Sequence, residues 1–216
     1  MATLEQVTKY EKKWQKTAEL VFSLLNAKEW KKENSKESDF EVFTNQDPSS
    51  PFYQIKSVCI LNDPLNEVEK TFKEPPQTVD ENTPKDKKNG NIERRFTGRF
   101  KDCDDGTGFL YVVLESAFKL ICPREFLSFQ KIAYKDCRVA LIRTSIENKA
   151  LYKNTKGYVR GKIFFQAFIA EDNENNTTKF TFLGHADPCG NIPAVFYNKH
   201  IIKAIFLVMT EKKIMG

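Results

Sequence analysis

Apolar residues recur at three- and four-residue steps from the start of the chain, at Leu4, Val7, Tyr10, Trp14, Ala18, Val21, Phe22 and Leu25. That spacing predicts an amphipathic helix over residues 4–30. Thr3 and Gln6 stand as in a capping box at its start, and the polar stretch 31–39 ends it. The period then shortens. Residues 40–44 read as a short strand, and 52–61 as a second with Tyr53, Ile55, Cys59 and Leu61 on one face. Asp47, Pro48 and Pro51 mark the turn between them. Residues 64–72 predict a short helix with Asn62 or Asp63 as its cap.

Residues 74–91 break the pattern. They hold Pro75, Pro76, Pro84 and Gly90 and almost no apolar side chain, so an exposed, mobile loop is expected. The segment before it offers too few elements for a core of its own. One domain over 1–216 is therefore expected, with 75–91 as a flexible loop.

Strands dominate afterwards. Residues 92–101 and 109–117 flank the hairpin-like turn Asp104-Asp105-Gly106-Thr107-Gly108. Further strands are predicted at 126–134, 139–146, 158–170 and 178–186. Asp187-Pro188-Cys189-Gly190 is a turn, and Pro193 suits the first turn of a helix that runs to about 212. Short connections between consecutive strands imply an antiparallel sheet. The predicted class is α+β: a curved antiparallel sheet gripping a long C-terminal α-helix, with an N-terminal helix.

Composition narrows the class without naming a function. The chain has 216 residues, 40% hydrophobic and 29% charged, as in an ordinary globular protein. Phe accounts for 18 of them, which favours a large apolar interior. No apolar run approaches the roughly 18 residues that span a bilayer, and the N-terminus lacks the apolar core of a signal peptide. A cytoplasmic location is expected. The five cysteines form no C-x-x-C pair and only His185 and His200 are present, so neither a metal centre nor a disulfide framework is expected. The net charge of +5 suits an anionic membrane surface or nucleic acid. The basic run from Lys85 to Lys101, interleaved with Phe96 and Phe100, has the same two readings and a third, a solvated edge.

Candidate chemistry rests on strand faces. Along 158–170 the odd positions Val159, Gly161, Ile163, Phe165, Ala167 and Ile169 are apolar or lack a side chain, and the even ones include Arg160, Lys162 and Gln166. The odd side is expected to face an apolar interior, either packed or with room beside the small Gly161 and Ala167. Along 109–117 two readings stand. An internal odd face buries Glu115; an internal even face, Leu110, Val112, Leu114 and Ser116, leaves it an ordinary surface acid. The last helix, with Val195, Ile201, Ile202, Ile205 and Val208 among its apolar residues, is either a core helix or one that also touches a ligand or membrane. No G-x-S-x-G or Walker pattern occurs, and His185 near Cys189 reads as a structural histidine at a strand end.

Several segments carry a resemblance. Cys122-Pro123-Arg124-Glu125-Phe126 is similar to an S-P-R-D-F segment, and Lys156-Gly157-Tyr158-Val159-Arg160 to K-G-Y-V-R-A. Residues 186–193 are similar to V-D-P-x-G-x-I-P, and 39–43 to a first strand. In this order, over nearly the whole chain, they resemble the START family of lipid-transfer domains. The resemblance implies the helix-grip fold and one lipid (a phospholipid, sterol or sphingolipid) held in an apolar tunnel between sheet and helix. It implies no cofactor and no covalent chemistry.

It also implies site residues. Glu115 and Gln130 correspond to a polar pair in the tunnel, with Gln130 where many members carry Arg. Tyr111 and Val113 share the strand of Glu115, and Ile163, Phe165 and Ala167 supply the facing wall. Phe182 and the helix residues Tyr197, Ile201, Ile205 and Val208 complete the expected ligand-binding set. Phe118 and Leu120 are the expected gate at the membrane. The sequence departs from the family where residues 75–91 replace an R-x-x-W-D helix, so no phosphate-binding Arg carries over. The expectation is a monomeric, non-enzymatic lipid carrier with peripheral membrane contact and no nucleic-acid partner. Its rivals are a hydrolase or cyclase on a related scaffold using Glu115 or His185, and a lipid sensor acting through a protein partner.

Overall fold

The computed structural model describes residues 4–34, 40–74, 91–99, 106–114, 122–148 and 156–210, with backbone alone for 4–7, 9, 91–99 and 203–210. Its elements run α1 (Leu4–Leu25), β1 (Lys31–Glu33), β2 (Phe40–Gln46), β3 (Tyr53–Leu61), α2 (Leu65–Lys73), β4 (Asn91–Arg99) and β5 (Gly108–Leu114). They continue with β6 (Arg124–Lys135), β7 (Arg138–Ser145), β8 (Val159–Arg160), β9 (Lys162–Asn173), β10 (Thr177–Asp187) and α3 (Ala194–Thr210).

One curved sheet carries the strands in the order β1-β2-β3-β10-β9-β7-β6-β5-β4. Neighbours along this path are antiparallel. The exception lies off it, where β8 pairs in parallel with β6 at Arg124↔Val159 and Glu125↔Arg160. This small mixed corner modifies the purely antiparallel expectation. Gly161 separates β8 from β9, and a Cβ there would stand 2.3 Å from the Phe126 ring, so only glycine lets the strand pass.

Both faces of the sheet are covered. On one, α1 lays down Tyr10, Trp14, Ala18, Val21 and Phe22 at helical spacing against Phe109, Tyr111, Leu127, Phe129, Ile142 and Ala167. Burying a large apolar side chain contributes roughly 1.5–3 kcal/mol, so this stripe supplies on the order of 10 kcal/mol before the entropy of ordering it. Trp14 Nε1 also donates to the Ile142 carbonyl at 3.0 Å, which fixes the helix along β7. On the other face, Val68 and Phe72 of α2 pack with Ile132, Val139, Leu141, Ala170 and Phe180, and Ile201 and Ile202 of α3 join the same cluster.

Several boundaries differ from the sequence reading. The first helix stops at Leu25 rather than 30, and Lys31–Glu33 forms an edge strand on β2. Trp30 folds back instead, its Nε1 donating to the Leu24 carbonyl at 3.0 Å. The cap of α2 is Pro64, with no side-chain cap bond, rather than Asn62 or Asp63. A proline there loses nothing, because its absent N–H has no helical partner in any case. The Thr3 cap, the loop expected at 75–91 apart from the start of β4, and the ends of the basic run lie outside the described residues.

Candidate functional site

Three of the segments that looked distinctive in the sequence meet at one corner. Arg124 is buried, and its guanidinium donates to the carbonyls of Pro188 at 3.3 Å and Cys189 at 3.2 Å, and to that of Cys122. It thereby holds the turn that feeds α3. Its neighbour Glu125 is wholly buried and accepts from Tyr111 Oη at 2.8 Å and Arg160 Nε at 3.1 Å. The backbone of Gly161 donates to the Glu125 carbonyl at 2.9 Å. These residues lock strands and turn together. They are framework, not a ligand site.

The cavity lies on the other side of the sheet, against α3. Its volume is about 300 Å³, at the lower bound of small-molecule cavities. Leu110, Val112 and Leu114 of β5 and Phe126 and Ser128 of β6 form one wall. Tyr53 and Ile55 of β3 with Phe182, Gly184 and His185 of β10 form another. Ile163, Phe165 and Gln166 lie on β9 between them, and Tyr197 and Ile201 of α3 close the space. The helix is seated by Asn198, whose amide accepts from the Tyr53 N–H at 2.9 Å and donates to the Pro51 carbonyl at 3.0 Å.

Polar side chains interrupt this apolar wall. Arg143 donates from Nε to Gln130 Oε1 at 2.9 Å and from Nη1 to Gln166 Oε1 at 3.4 Å, and its guanidinium lies 4.9 Å over the Phe168 ring. Gln130 in turn donates to the Gly106 carbonyl at 3.0 Å. His185, which also borders the space, is 4% exposed, with its ring packed on Phe164 and Phe165 and its Nδ1 3.9 Å from Asp47 Oδ2. Burial holds its pKa below the ordinary value, while Asp47, the Phe52 carbonyl and Asp187 pull it upward. Burial also pushes the Tyr197 phenol well above its ordinary value.

The expected ligand residues divide accordingly. Ile163, Phe165, Phe182, Tyr197 and Ile201 line the cavity. Tyr111, Val113 and Ala167 do not: they are buried in the core beneath α1, on the opposite face. The odd face of β5 is internal, but what covers it is a helix; the even face borders the cavity. Gln130 stands one hydrogen bond behind the wall, through Arg143. Glu115, Phe118 and Leu120 lie outside the described residues, as do the side chains of Ile205 and Val208.

Sequence reasoning missed Arg143. Arg143 had one signal, a cation ending the apolar run Val139-Ala140-Leu141-Ile142. Among the described residues no cluster of three or more His, Cys, Asp or Glu side chains could hold a metal, and no helix is long and apolar enough to cross a membrane.

The START domain family matches residues 11–213. Among solved structures, the chain is similar to human StAR-related lipid transfer protein 5, with a TM-score of 0.76 at 16% identity over 94% of each chain. It is also similar to human STARD10, with a TM-score of 0.69 at 17% identity over 91% of this chain and 76% of that one. A STAR-related lipid transfer protein from Xanthomonas axonopodis follows, with a TM-score of 0.63 at 14% identity over 84% of this chain and 95% of that one. At these identities the likeness establishes the helix-grip fold alone. No curated protein matches the sequence significantly.

Proposed function

The chain belongs to the START domain family, and from that premise we propose that it binds one lipid between the sheet and α3 and carries it between membranes. The observation that carries this reading is the cavity itself, apolar on most of its wall and closed by Tyr197 and Ile201 of the last helix. Each methylene withdrawn from water is worth roughly 0.8 kcal/mol, so a protein that encloses a lipid's chains removes most of the cost of its leaving a bilayer. Two of its structural neighbours are StAR-related lipid transfer proteins by name, which supports the same reading. No covalent step is part of it. Loading requires an opening, which we assign to α3 together with the segment around Phe118 and Leu120. The protein works as a cytoplasmic monomer that touches membranes transiently.

The test is native mass spectrometry of the purified chain, with extraction and identification of what is released on denaturation. A stoichiometric mass of lipid size is expected, and Val112→Trp, which fills the cavity, lowers its occupancy. A bare chain that also takes up nothing from mixed liposomes overturns the proposal. If lipid is bound but liposome-to-liposome transfer is not accelerated, carriage fails and binding stands. Unchanged transfer rates in Phe118→Asp and Leu120→Asp remove that segment from the gate.

A further inference from the structure

The first turns of α3 have two sides. Tyr197 and Ile201 line the cavity, and Asn198 is buried against Tyr53 and Pro51. Val195, Phe196 and Lys199 fall on the opposite side of the helix, where Val195 is 78% and Phe196 60% exposed. Scattered single apolar residues on a surface need no explanation. Here exposed Pro193, Val195 and Phe196 make one apolar turn.

That turn stands at the end of the sheet where the cavity wall is most exposed. β5 ends there at Leu114, opposite Arg124 where β6 begins, and β9 begins at Lys162, opposite the last residue of β10. Leu114, at 37%, is the most exposed of the described side chains lining the cavity. The same end is rich in cations. Lys13, Lys156, Lys162 and Lys199 are exposed, and Lys13 is held there by the Ser145 carbonyl at the end of β7. Arg124 adds a charge answered by carbonyls rather than a carboxylate. The acids described at this end are Asp47, Glu147 and Asp187, with Asp47 tied to Ser49 and Asp187 to the Cys189 N–H. α3 has no acidic residue in its first turn, so the positive end of its dipole adds to the field.

We propose that this end docks on an anionic lipid bilayer, with Val195 and Phe196 inserted below the headgroups and the surrounding lysines against the lipid phosphates. This deepens the carrier reading and rests on it. A bilayer interface takes apolar side chains at the acyl boundary and cations among the headgroups, which matches an apolar turn ringed by lysines. A stable protein interface needs about 800 Å² from each partner, far more than two side chains supply. Tyr197 and Ile201 close the cavity from the same helical turns. Insertion on one side of α3 therefore acts on the wall that its other side forms, so membrane contact and access to the cavity are coupled.

The test is co-sedimentation of the full chain with phosphatidylcholine vesicles, with and without phosphatidylserine. The parent binds the phosphatidylserine vesicles about ten-fold more tightly, and added salt narrows the difference. Val195→Asp with Phe196→Asp lowers that binding by at least about thirty-fold, since two apolar contacts are lost and two like charges gained. Lys162→Glu with Lys199→Glu removes the preference for phosphatidylserine. None of these four side chains lines the cavity, so native mass spectrometry finds both variants folded and still lipid-filled. Leu20→Asp, at an exposed position of α1, leaves vesicle binding unchanged. Phe196→Trp keeps the apolar character and reports directly: its added emission shifts to the blue on phosphatidylserine vesicles and is quenched by brominated acyl chains. Equal binding to both vesicles, undiminished binding in the double Asp variant, or an unquenched indole in Phe196→Trp overturns the inference while lipid occupancy stands. A dimer in solution that the double Asp variant dissolves gives the patch to a second copy and overturns it too. Failure of the parent to take up any lipid overturns both this inference and the carrier reading.

Discussion

Removing the Glu125 carboxylate is the sharpest test of how this fold is held together. The side chain is wholly buried, and it joins Tyr111 Oη at 2.8 Å to Arg160, whose Nε and Nη2 both lie 3.1 Å from Oε1. Glu125→Leu keeps much of the volume and strands both donors. Tyr111 is 2% exposed, so its hydroxyl loses a charge-assisted bond with little access to water. Arg160 is 21% exposed, so solvent recovers part of its loss. Breaking a fully buried pair costs about 3–5 kcal/mol. Discounting for the exposure of Arg160 and adding the Tyr111 bond gives about 3–4 kcal/mol. For a chain of this length that lowers Tm by roughly 10 °C. The assay is urea unfolding followed by tryptophan fluorescence and far-ultraviolet circular dichroism. A double-mutant cycle with Arg160→Met, which removes the charge together with its partner, is expected to recover at least about 1 kcal/mol of the loss. If Glu125→Leu unfolds within about 0.5 kcal/mol of the parent, the corner is not the lock described here.

Three further outcomes are expected. Gly161→Ala drives a Cβ to 2.3 Å from the Phe126 ring and destabilises by about 1–3 kcal/mol; Phe126→Leu in the same chain recovers most of it, as denaturant midpoints will report. Asn198→Ala removes both bonds seating α3 and leaves the Tyr53 N–H and Pro51 carbonyl to water, which costs about 1–2 kcal/mol and speeds backbone hydrogen exchange at the N-terminal half of α3 before the sheet is affected. The His185 pKa is below 6.5 in the folded chain, mainly through burial, so the unfolded chain takes up its proton first as the pH falls. Stability therefore declines as the pH falls from 6.5 to the folded value, and His185→Phe flattens that decline. Asp47, held low mainly by hydrogen bonds from Ser49, withdraws its contribution only as the pH falls from 3.8 through its folded value, so the two effects separate.

The stripe on α1 was legible because a single helix on a sheet has one apolar side, and the 3.6 period shows it directly. The turn at 187–190 and the Arg124-Glu125 dipeptide were legible as motifs, although their work as a clamp was not. Arg124 reaches carbonyls 64 and 65 residues away. The site was read less well. Gln130 and Arg143 became partners because the tight turn at Asp136 and Cys137, both at positive φ, sets Lys135 opposite Arg138 and so Gln130 opposite Arg143. Register of that kind is a property of two strands together.

The amino-acid sequence by itself determined the order of the main elements, the antiparallel pairing of the long strands, the closing helix and the family resemblance. Each follows from local period, turn chemistry or a short motif. The tertiary structure decided which face of β5 borders the cavity, and hence that Leu110 and Val112, rather than Tyr111 and Val113, line it. It also decided that Arg143 reaches Gln130 and Gln166 at that cavity. The physical reason is that this sheet is covered on both sides. Alternation distinguishes a wet face from a dry one, but where α1 dries one face and α2 and α3 the other, both are apolar, and only the curvature of the sheet tells them apart.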